Sequence, residues 1–463
     1  MPEKITCISP VDGRAYASRP VATRKHIAAT FAAARTAQEK WKRLPLTERA
    51  AYCTAAVDAM VALTNQIVPE LAWQMGRPIR YGAGEVRGFE ERARYMIGIA
   101  QEALADVDPG PKDGFVRYIR RDPLGVVFTI APWNYPYLTA VNSVIPALMA
   151  GNTVVLKHAA STLLVAERFQ QAFDRAGLPT GVFQHLVLSH RQVADIIAAG
   201  LANMVAFTGS VAGGKAMEEA SAGRFINVGL ELGGKDPAYV RPDANMAHAI
   251  ENLVDGSFFN SGQSCCAIER IYVHKQVWSE FLDGFVALTK KYVLGSPLEQ
   301  ETTLGPMVRP EAAAFVRKQI ASAVRSGAKA HIDPKTFAMD RPGTPYMAPQ
   351  VLTSVTHRMS VMMDESFGPV IGLMKVSDDR EAIRLMNDSP YGLTAAIWTE
   401  DVEAAQAIGR EIATGTVFMN RCDYLDPALT WTGVKDTGRG ATLSRIGYEA
   451  LTRPKSYHLR TKT

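Results

Sequence analysis

Residues 123–156 read PLGVVFTIAPWNYPYLTAVNSVIPALMAGNTVVL, a run without one charged side chain. A stretch that long could hold a membrane helix. Pro132, Pro136 and Pro146 interrupt it, however, and Asn134, Asn142 and Asn152 set amides along it. Interior prolines remove backbone donors, and lipid offers buried amides no partners, so one continuous spanning helix is ruled out. What fits is a buried strand, a loop and a buried helix in a globular core. The charge-free loop Pro132-Trp133-Asn134-Tyr135-Pro136 is then a candidate site.

Downstream of this run, strand and helix patterns alternate. TVVLK at 153–157 reads as a buried strand, 161–176 as a helix, 182–188 as a strand, 191–200 as a helix, NMVAFT at 203–208 as a strand and 212–220 as a helix. Short spacing between such elements predicts a parallel sheet with crossover helices. The alternation resumes after residue 236, with a helix at 245–258, a strand at 269–274 and helices at 277–292 and 310–326, which predicts a second α/β unit. Upstream, residues 24–40, 47–75 and 84–105 have helical apolar spacing. The second of these stops at Gly76-Arg77-Pro78. Residues 116–130 turn strand-like, and 455–463 predict a polar edge strand.

Composition agrees with a large soluble enzyme. At roughly 150 residues per domain, 463 residues allow two or three domains. Hydrophobic residues make up 47% and charged residues 21%, so disordered and collagen-like classes are excluded. Lys and Arg number 51 against 46 Asp and Glu, a net charge of +5 that is too weak to argue for nucleic acid. The five cysteines, Cys7, Cys53, Cys265, Cys266 and Cys422, form neither a disulfide framework nor a Cys-x-x-Cys zinc pair, so no metal is expected. The start MPEKITCISP lacks an apolar signal region, which predicts a cytoplasmic protein.

Three segments carry chemistry. Phe259-Asn260-Ser261-Gly262-Gln263-Ser264-Cys265-Cys266-Ala267 puts a cysteine among small and polar neighbours, where a reactive thiol is plausible. Cys7, Cys53 and Cys422 read as packing residues. Glu231 is a lone acid in Val228-Gly229-Leu230-Glu231-Leu232-Gly233-Gly234-Lys235. A carboxylate in apolar surroundings has a raised pKa, which suits a general base near neutral pH. Asn134, fixed between prolines, offers a preorganised oxyanion donor. There is no Gly-x-Gly-x-x-Gly. Phe207-Thr208-Gly209-Ser210, with Gly213 and Gly214, lies between a strand and a helix, where backbone N–H groups can approach an anion. A plain strand-to-helix turn would read the same.

Together these segments resemble the aldehyde dehydrogenase superfamily over essentially the whole chain. Leu230-Glu231-Leu232-Gly233-Gly234-Lys235 is similar to its acid motif. Phe259-Asn260-x-Gly262-Gln263-x-Cys265-x-Ala267 is similar to its nucleophile motif, 34 residues on. Glu365-Ser366-Phe367-Gly368-Pro369 and Ser389-Pro390-Tyr391-Gly392-Leu393 also match. The resemblance implies an α/β fold with a Rossmann-like cofactor domain (1–105 and 123–233), an α/β catalytic domain (234–445) and a small β oligomerisation flap (106–122 and 446–463) that builds a homodimer or homotetramer. It makes Cys265 the nucleophile, Asn134 with the Cys265 backbone N–H the oxyanion donors, and Glu231 the base that activates the deacylating water. Lys157 and Glu365 would hold the cofactor riboses and Ser210 the pyrophosphate. Trp133 and Phe367 would line the dinucleotide cleft, and Gly209, Gly214, Leu232 and Gly233 complete the cofactor set. The implied substrate walls are Tyr135, Thr139, Asn142, Phe259, Ser264, Cys266, Leu425 and Trp431. Arg421 or the acids Asp423 and Asp426 stand close by to grip a charged aldehyde.

The reaction implied is oxidation of a small-molecule aldehyde to the acid, with NAD or NADP as hydride acceptor and water as acyl acceptor. A CoA-acylating semialdehyde dehydrogenase is the alternative within enzymes, disfavoured by Glu231, and a catalytically silent binding protein of the same fold is the other. The chain departs from the family where Lys157-His158-Ala159-Ala160 replaces the frequent Lys-Pro-Ala-Glu. In NAD-specific relatives the final Glu repels a 2′-phosphate, so Ala160 predicts that both cofactors are accepted. A second acid near the C-terminus is also missing from Thr437-Gly438-Arg439-Gly440-Ala441-Thr442, and Ser143 stands where some relatives have Lys. Glu231 is therefore expected to carry deacylation alone.

Overall fold

The computed structural model describes residues 3–462. The charge-free run folds into the strand Val126–Ile130, a loop, and the helix Pro136–Met149, all of them buried apart from Leu138, Thr139 and the loop's partly open residues. Pro136 occupies the first turn of that helix, where its missing N–H costs nothing. Among the described residues no helix is long and apolar enough to cross a membrane.

The strand Val126–Ile130 is the centre of a six-stranded sheet. Thr153–Lys157 and then Phe183–His185 lie on one side of it. Met204–Thr208, Asn227–Glu231 and Gly438–Arg439 lie on the other. The first five in chain order are parallel and right for a doubly wound sheet, because the strand order reverses beside Val126–Ile130. Gly438–Arg439 comes from the stretch assigned by sequence to the second unit. It nevertheless runs antiparallel against Leu230 and Glu231 and closes this sheet's edge.

A second, seven-stranded sheet runs in the order Lys329–Ala330, Gln350–Thr353, Val370–Val376, Ile268–His274, Asp236–Val240, Thr394–Trp398, Thr416–Met419. Only its first strand is antiparallel to its neighbour. Its central strands are buried along their whole length, as a sheet covered on both faces requires. Phe115–Pro123 and Thr452–Arg460 form a separate antiparallel ribbon paired over nine residues, and Val107 bridges to Ile119 on its other edge.

Two expectations change. The helix expected over 47–75 is two, Leu46–Val61 and Thr64–Met75. The Thr64 hydroxyl donates to the Val61 carbonyl at 2.5 Å, taking the acceptor that a continuing helix would use. The first hundred residues, read as helical, also contain a hairpin of Lys4–Ile8 and Ala15–Pro20.

Candidate active site

The segment that carries Cys265 begins where the helix Met246–Phe258 ends. Asn260, Ser261 and Gly262 all take left-handed backbone angles (φ 53°, 57° and 70°). For residues bearing a Cβ this is costly and persists only when the surroundings fix it. They do so here. The Ser261 hydroxyl donates to the Gly305 carbonyl at 2.7 Å, Gln263 Oε1 accepts from the Val308 N–H at 2.8 Å, and Asn260 Nδ2 donates to the carbonyls of Gln263 (3.1 Å) and Asn134 (3.3 Å). The turn delivers Cys265, half-buried, to a cavity of about 370 Å³.

Asn134 is buried, with its Nδ2 3.2 Å from the Gln263 carbonyl, two residues before Cys265. Its loop is held from the helix Ile79–Ala103 and the residue preceding that helix's entry turn. Arg77 donates to the Asn134 carbonyl at 2.5 Å, stacks over the Tyr135 ring at 4.6 Å and ion-pairs with Glu85, both charges fully enclosed. The other Glu85 oxygen accepts from the backbone N–H groups of Tyr137 (2.9 Å) and Leu138 (3.1 Å). It thereby satisfies the free donors at the start of Pro136–Met149. Neither Arg77 nor Glu85 was singled out by sequence.

Glu231 ends the strand Asn227–Glu231 and lines the same cavity as Cys265. Burial raises its pKa, partly offset by hydrogen bonds from the hydroxyls of Thr442 and Thr208. Thr442 reaches one carboxylate oxygen and Thr208 the other, at 3.0 Å. Behind Glu231 lies a second cavity of about 260 Å³ that includes Ser143 and Thr442, so the carboxylate stands where two cavities meet. The sequence reading gave neither threonine a role. Thr442 lies 211 residues away and arrives only because Gly438–Arg439 pairs beside Glu231.

All eight residues expected as substrate walls, Tyr135, Thr139, Asn142, Phe259, Ser264, Cys266, Leu425 and Trp431, line the cavity with Cys265. Cys266 donates to Asp423 Oδ1 at 2.9 Å, as does Ser264 at 3.1 Å, and burial pushes the Asp423 pKa up to about 6. Arg421 and Asp426 do not reach the cavity. Arg421 is exposed and packs its guanidinium 3.5 Å over the Tyr424 ring, while Asp426 accepts from the Ala428 N–H. Arg87, exposed, lines it too, but the cation buried against it is Arg92. Its sequence signal was a charge on the buried stripe Glu85, Phe89, Arg92, Met96 of Ile79–Ala103. Cys7 and Cys53 are buried with thiol pKa values pushed up to about 12, and burial likewise raises Cys422.

The residues expected to hold a cofactor gather at the carboxyl edge of the six-stranded sheet, where open parallel sheets bind dinucleotides. Lys157 ends Thr153–Lys157, Gly209 and Ser210 follow Met204–Thr208, and Leu232 and Gly233 follow Asn227–Glu231. Ser210 caps the helix Val211–Ser221 by accepting from the Gly213 N–H at 3.2 Å. A Cβ on Gly214 would lie 2.6 Å from Leu232 Cδ1, so a larger residue there would have to displace the Leu232 side chain. Across the cleft, Trp133 and Phe367 meet edge to face at 5.7 Å. The Glu365 carboxylate accepts from the Gly234 N–H at 3.1 Å, and burial lifts its pKa to about 8. A Cβ on Gly233 would sit 2.2 Å from Glu365 Oε1. Lys157 is 8% exposed, makes no ion pair among the described residues, and has its pKa lowered to about 8 by desolvation. Ala160, exposed at the next turn, adds no carboxylate. An unpaired lysine, a capped helix start and a glycine cradle suit a dinucleotide.

Known proteins agree with this arrangement. The model of the aldehyde dehydrogenase family matches residues 1–457. An aldehyde dehydrogenase of Paenarthrobacter nicotinovorans is 34% identical over 449 residues, 96% of this chain and 97% of its own. A succinate-semialdehyde dehydrogenase [NADP(+)] of Mycobacterium avium (strain 104) is 33% identical, covering 88% and 86%. The solved structure of an NAD-dependent aldehyde dehydrogenase from Sinorhizobium meliloti superposes with a TM-score of 0.95 at 30% identity, over 100% of this chain and 92% of that one. Fold, site and sequence lead to one assignment: the chain belongs to the aldehyde dehydrogenase family.

Proposed function

We propose that the protein oxidises an aldehyde to its carboxylic acid, with Cys265 as nucleophile, Asn134 and the Cys265 N–H as oxyanion donors, and Glu231 as the base for deacylation. The observation that carries this is a single cavity walled by both Cys265 and Glu231, each half-buried. The Cys265 thiolate adds to the carbonyl carbon, and the carbonyl electron pair moves to oxygen. Donors preorganised at that oxygen matter, since losing one typically lowers the rate by ~10²–10³. The C–H bond of the adduct then breaks with its electron pair, leaving a thioester on Cys265. NAD or NADP, when bound, accepts that hydride. Glu231 takes a proton from water, whose oxygen attacks the thioester carbon. The C–S bond breaks, and Cys265 leaves as thiolate.

Lys157 and Glu365 would hold the riboses, Ser210 the pyrophosphate, and Trp133 and Phe367 the walls of the cleft. Ala160 beside an unpaired Lys157 supports acceptance of both cofactors, and the similar proteins include an enzyme named for each. We place the cofactor domain at 1–105 and 123–233, the catalytic domain at 234–445, and an oligomerisation flap at 106–122 and 446–463. A cytoplasmic location suits five unpaired cysteines, one of them required as a thiol.

The test is NAD(P)H absorbance with a panel of aldehydes, with and without CoA. Wild type is expected to turn over without CoA, Cys265→Ala to give no signal, and Glu231→Gln to give one burst of reduced cofactor and then stall. Unchanged steady-state turnover in Glu231→Gln would remove Glu231 from deacylation, and a strict need for CoA would replace water as the acceptor.

A further inference from the structure

Arg92 is 8% exposed and lines the cavity that holds Cys265. Its hydrogen bonds all leave from Nη1, to the Leu138 carbonyl at 2.7 Å and Asn142 Oδ1 at 3.3 Å. Nε and Nη2 make none among the described residues, and no carboxylate lies within ion-pair distance. Glu85, the buried acid on the same helix, is already taken by Arg77 and two backbone N–H groups. An unpaired guanidinium in a protein interior is costly. Two more donors on the same wall lack acceptors, since Asn142 Nδ2 and the Tyr135 hydroxyl are both enclosed without a partner. The acids that line the cavity below its rim are in the opposite condition: Asp423 Oδ1 already accepts from Ser264 and Cys266, and the two Glu231 oxygens accept from Thr442 and Thr208. Glu91, at the exposed rim, accepts from the Tyr424 hydroxyl at 2.6 Å. The cavity therefore has donors to spare, while each of its acids already accepts at least one hydrogen bond.

We propose that Arg92, with Asn142 and Tyr135, selects aldehydes whose far end carries a carboxylate. This rests on the oxidation assigned above. The carboxylate supplies the acceptor that these donors lack, and Arg92 can present its free Nε and Nη2 to it as a fork. An amine-bearing aldehyde would meet the guanidinium head-on.

The test compares 4-oxobutanoate with butanal at saturating NADP, which differ only in the carboxylate. Wild type is expected to show a kcat/KM at least about a hundredfold higher for 4-oxobutanoate, the scale of a buried charge pair. In Arg92→Gln the ratio between the two substrates should collapse toward one, with the loss in KM, and Arg92→Lys should recover part of it. Succinate should protect wild-type Cys265 from iodoacetamide, while butanamide should not. Equal kcat/KM for both aldehydes in wild type overturns the proposal, as does an Arg92→Gln variant that loses kcat on both alike, which would mean that Arg92 serves the thiolate. If Arg92→Gln does not fold, the wild-type ratio and the succinate protection decide. Failure of wild type to oxidise any aldehyde would instead sink the oxidation reading.

Discussion

Two hydroxyls set how readily Glu231 takes a proton. Burial raises its pKa, while Thr442 and Thr208 pull it back by donating to the ionised form. Deacylation needs the carboxylate, so kcat should fall as the pH drops through this raised value, and the acid limb should lie above the ordinary glutamate range of 4.5. Thr442→Val removes one lowering contact and should shift the limb to higher pH, read from the pH profile of kcat. A limb that stays in place would show that Thr442 does not hold the base. Lys157 gives a second residue-scale test with the opposite sign. Desolvation lowers its pKa to about 8, so its cation is lost as the pH rises past that value. A 2′-phosphate needs the cation and a 2′-hydroxyl does not. The ratio of kcat/KM for NADP over NAD should therefore decline above about pH 8, and a flat ratio would exclude Lys157 from phosphate recognition. At this scale the sequence was informative wherever a residue's own neighbours were unusual, as for Glu231 between glycines or Cys265 among polar residues. It was silent on Thr208, Thr442 and Arg92, whose roles depend on partners brought from far along the chain.

The helix Ile79–Ala103 does more for the site than its sequence announces. Its Glu85 accepts from Arg77 and from the first free N–H groups of Pro136–Met149. The loop that carries Asn134 is thereby clamped between one helix and the start of another. Glu85→Ala would leave Arg77 buried and unpaired, a loss of about 3–5 kcal/mol, measurable by urea unfolding. The same variant should lower kcat, because Arg77 also holds the Asn134 carbonyl. Full stability in Glu85→Ala would mean that the pair is not what orders the loop. Helical spacing predicted this element over 84–105, but began it five residues late, since Gly82 and Gly84 weaken the local pattern. Periodicity also ran Leu46–Val61 and Thr64–Met75 together, because a side-chain hydroxyl capping a carbonyl leaves no trace in apolar spacing. Thr153–Lys157 and Met204–Thr208 were easier to read, being apolar runs bounded by turns, but of the second sheet only Ile268–His274 was read from the sequence.

Over the whole molecule, alternation predicted two α/β units but could not supply strand order. Nor could it show that Gly438–Arg439 crosses back to the first sheet, since pairing between distant segments has no local signature. The ribbon of Phe115–Pro123 and Thr452–Arg460 poses the remaining question at this scale. In its register Val116 faces Leu459 and Tyr118 faces Tyr457, so the four share one face. The tyrosine rings stack at 4.5 Å, and Val116 and Leu459 are 47% and 49% exposed. A two-stranded ribbon is marginal in water by itself, and this one offers an apolar strip and an edge along Thr452–Arg460 that is unpaired among the described residues. A second copy of the chain would cover both. Leu459→Asp places a charge in the middle of that strip, where burial against a partner would leave it unpaired. Light scattering should then report a dimer or tetramer for wild type and a smaller species for Leu459→Asp, with circular dichroism unchanged. A wild-type chain that runs as a monomer at micromolar concentration, or a Leu459→Asp variant of undiminished mass, would take assembly away from this ribbon.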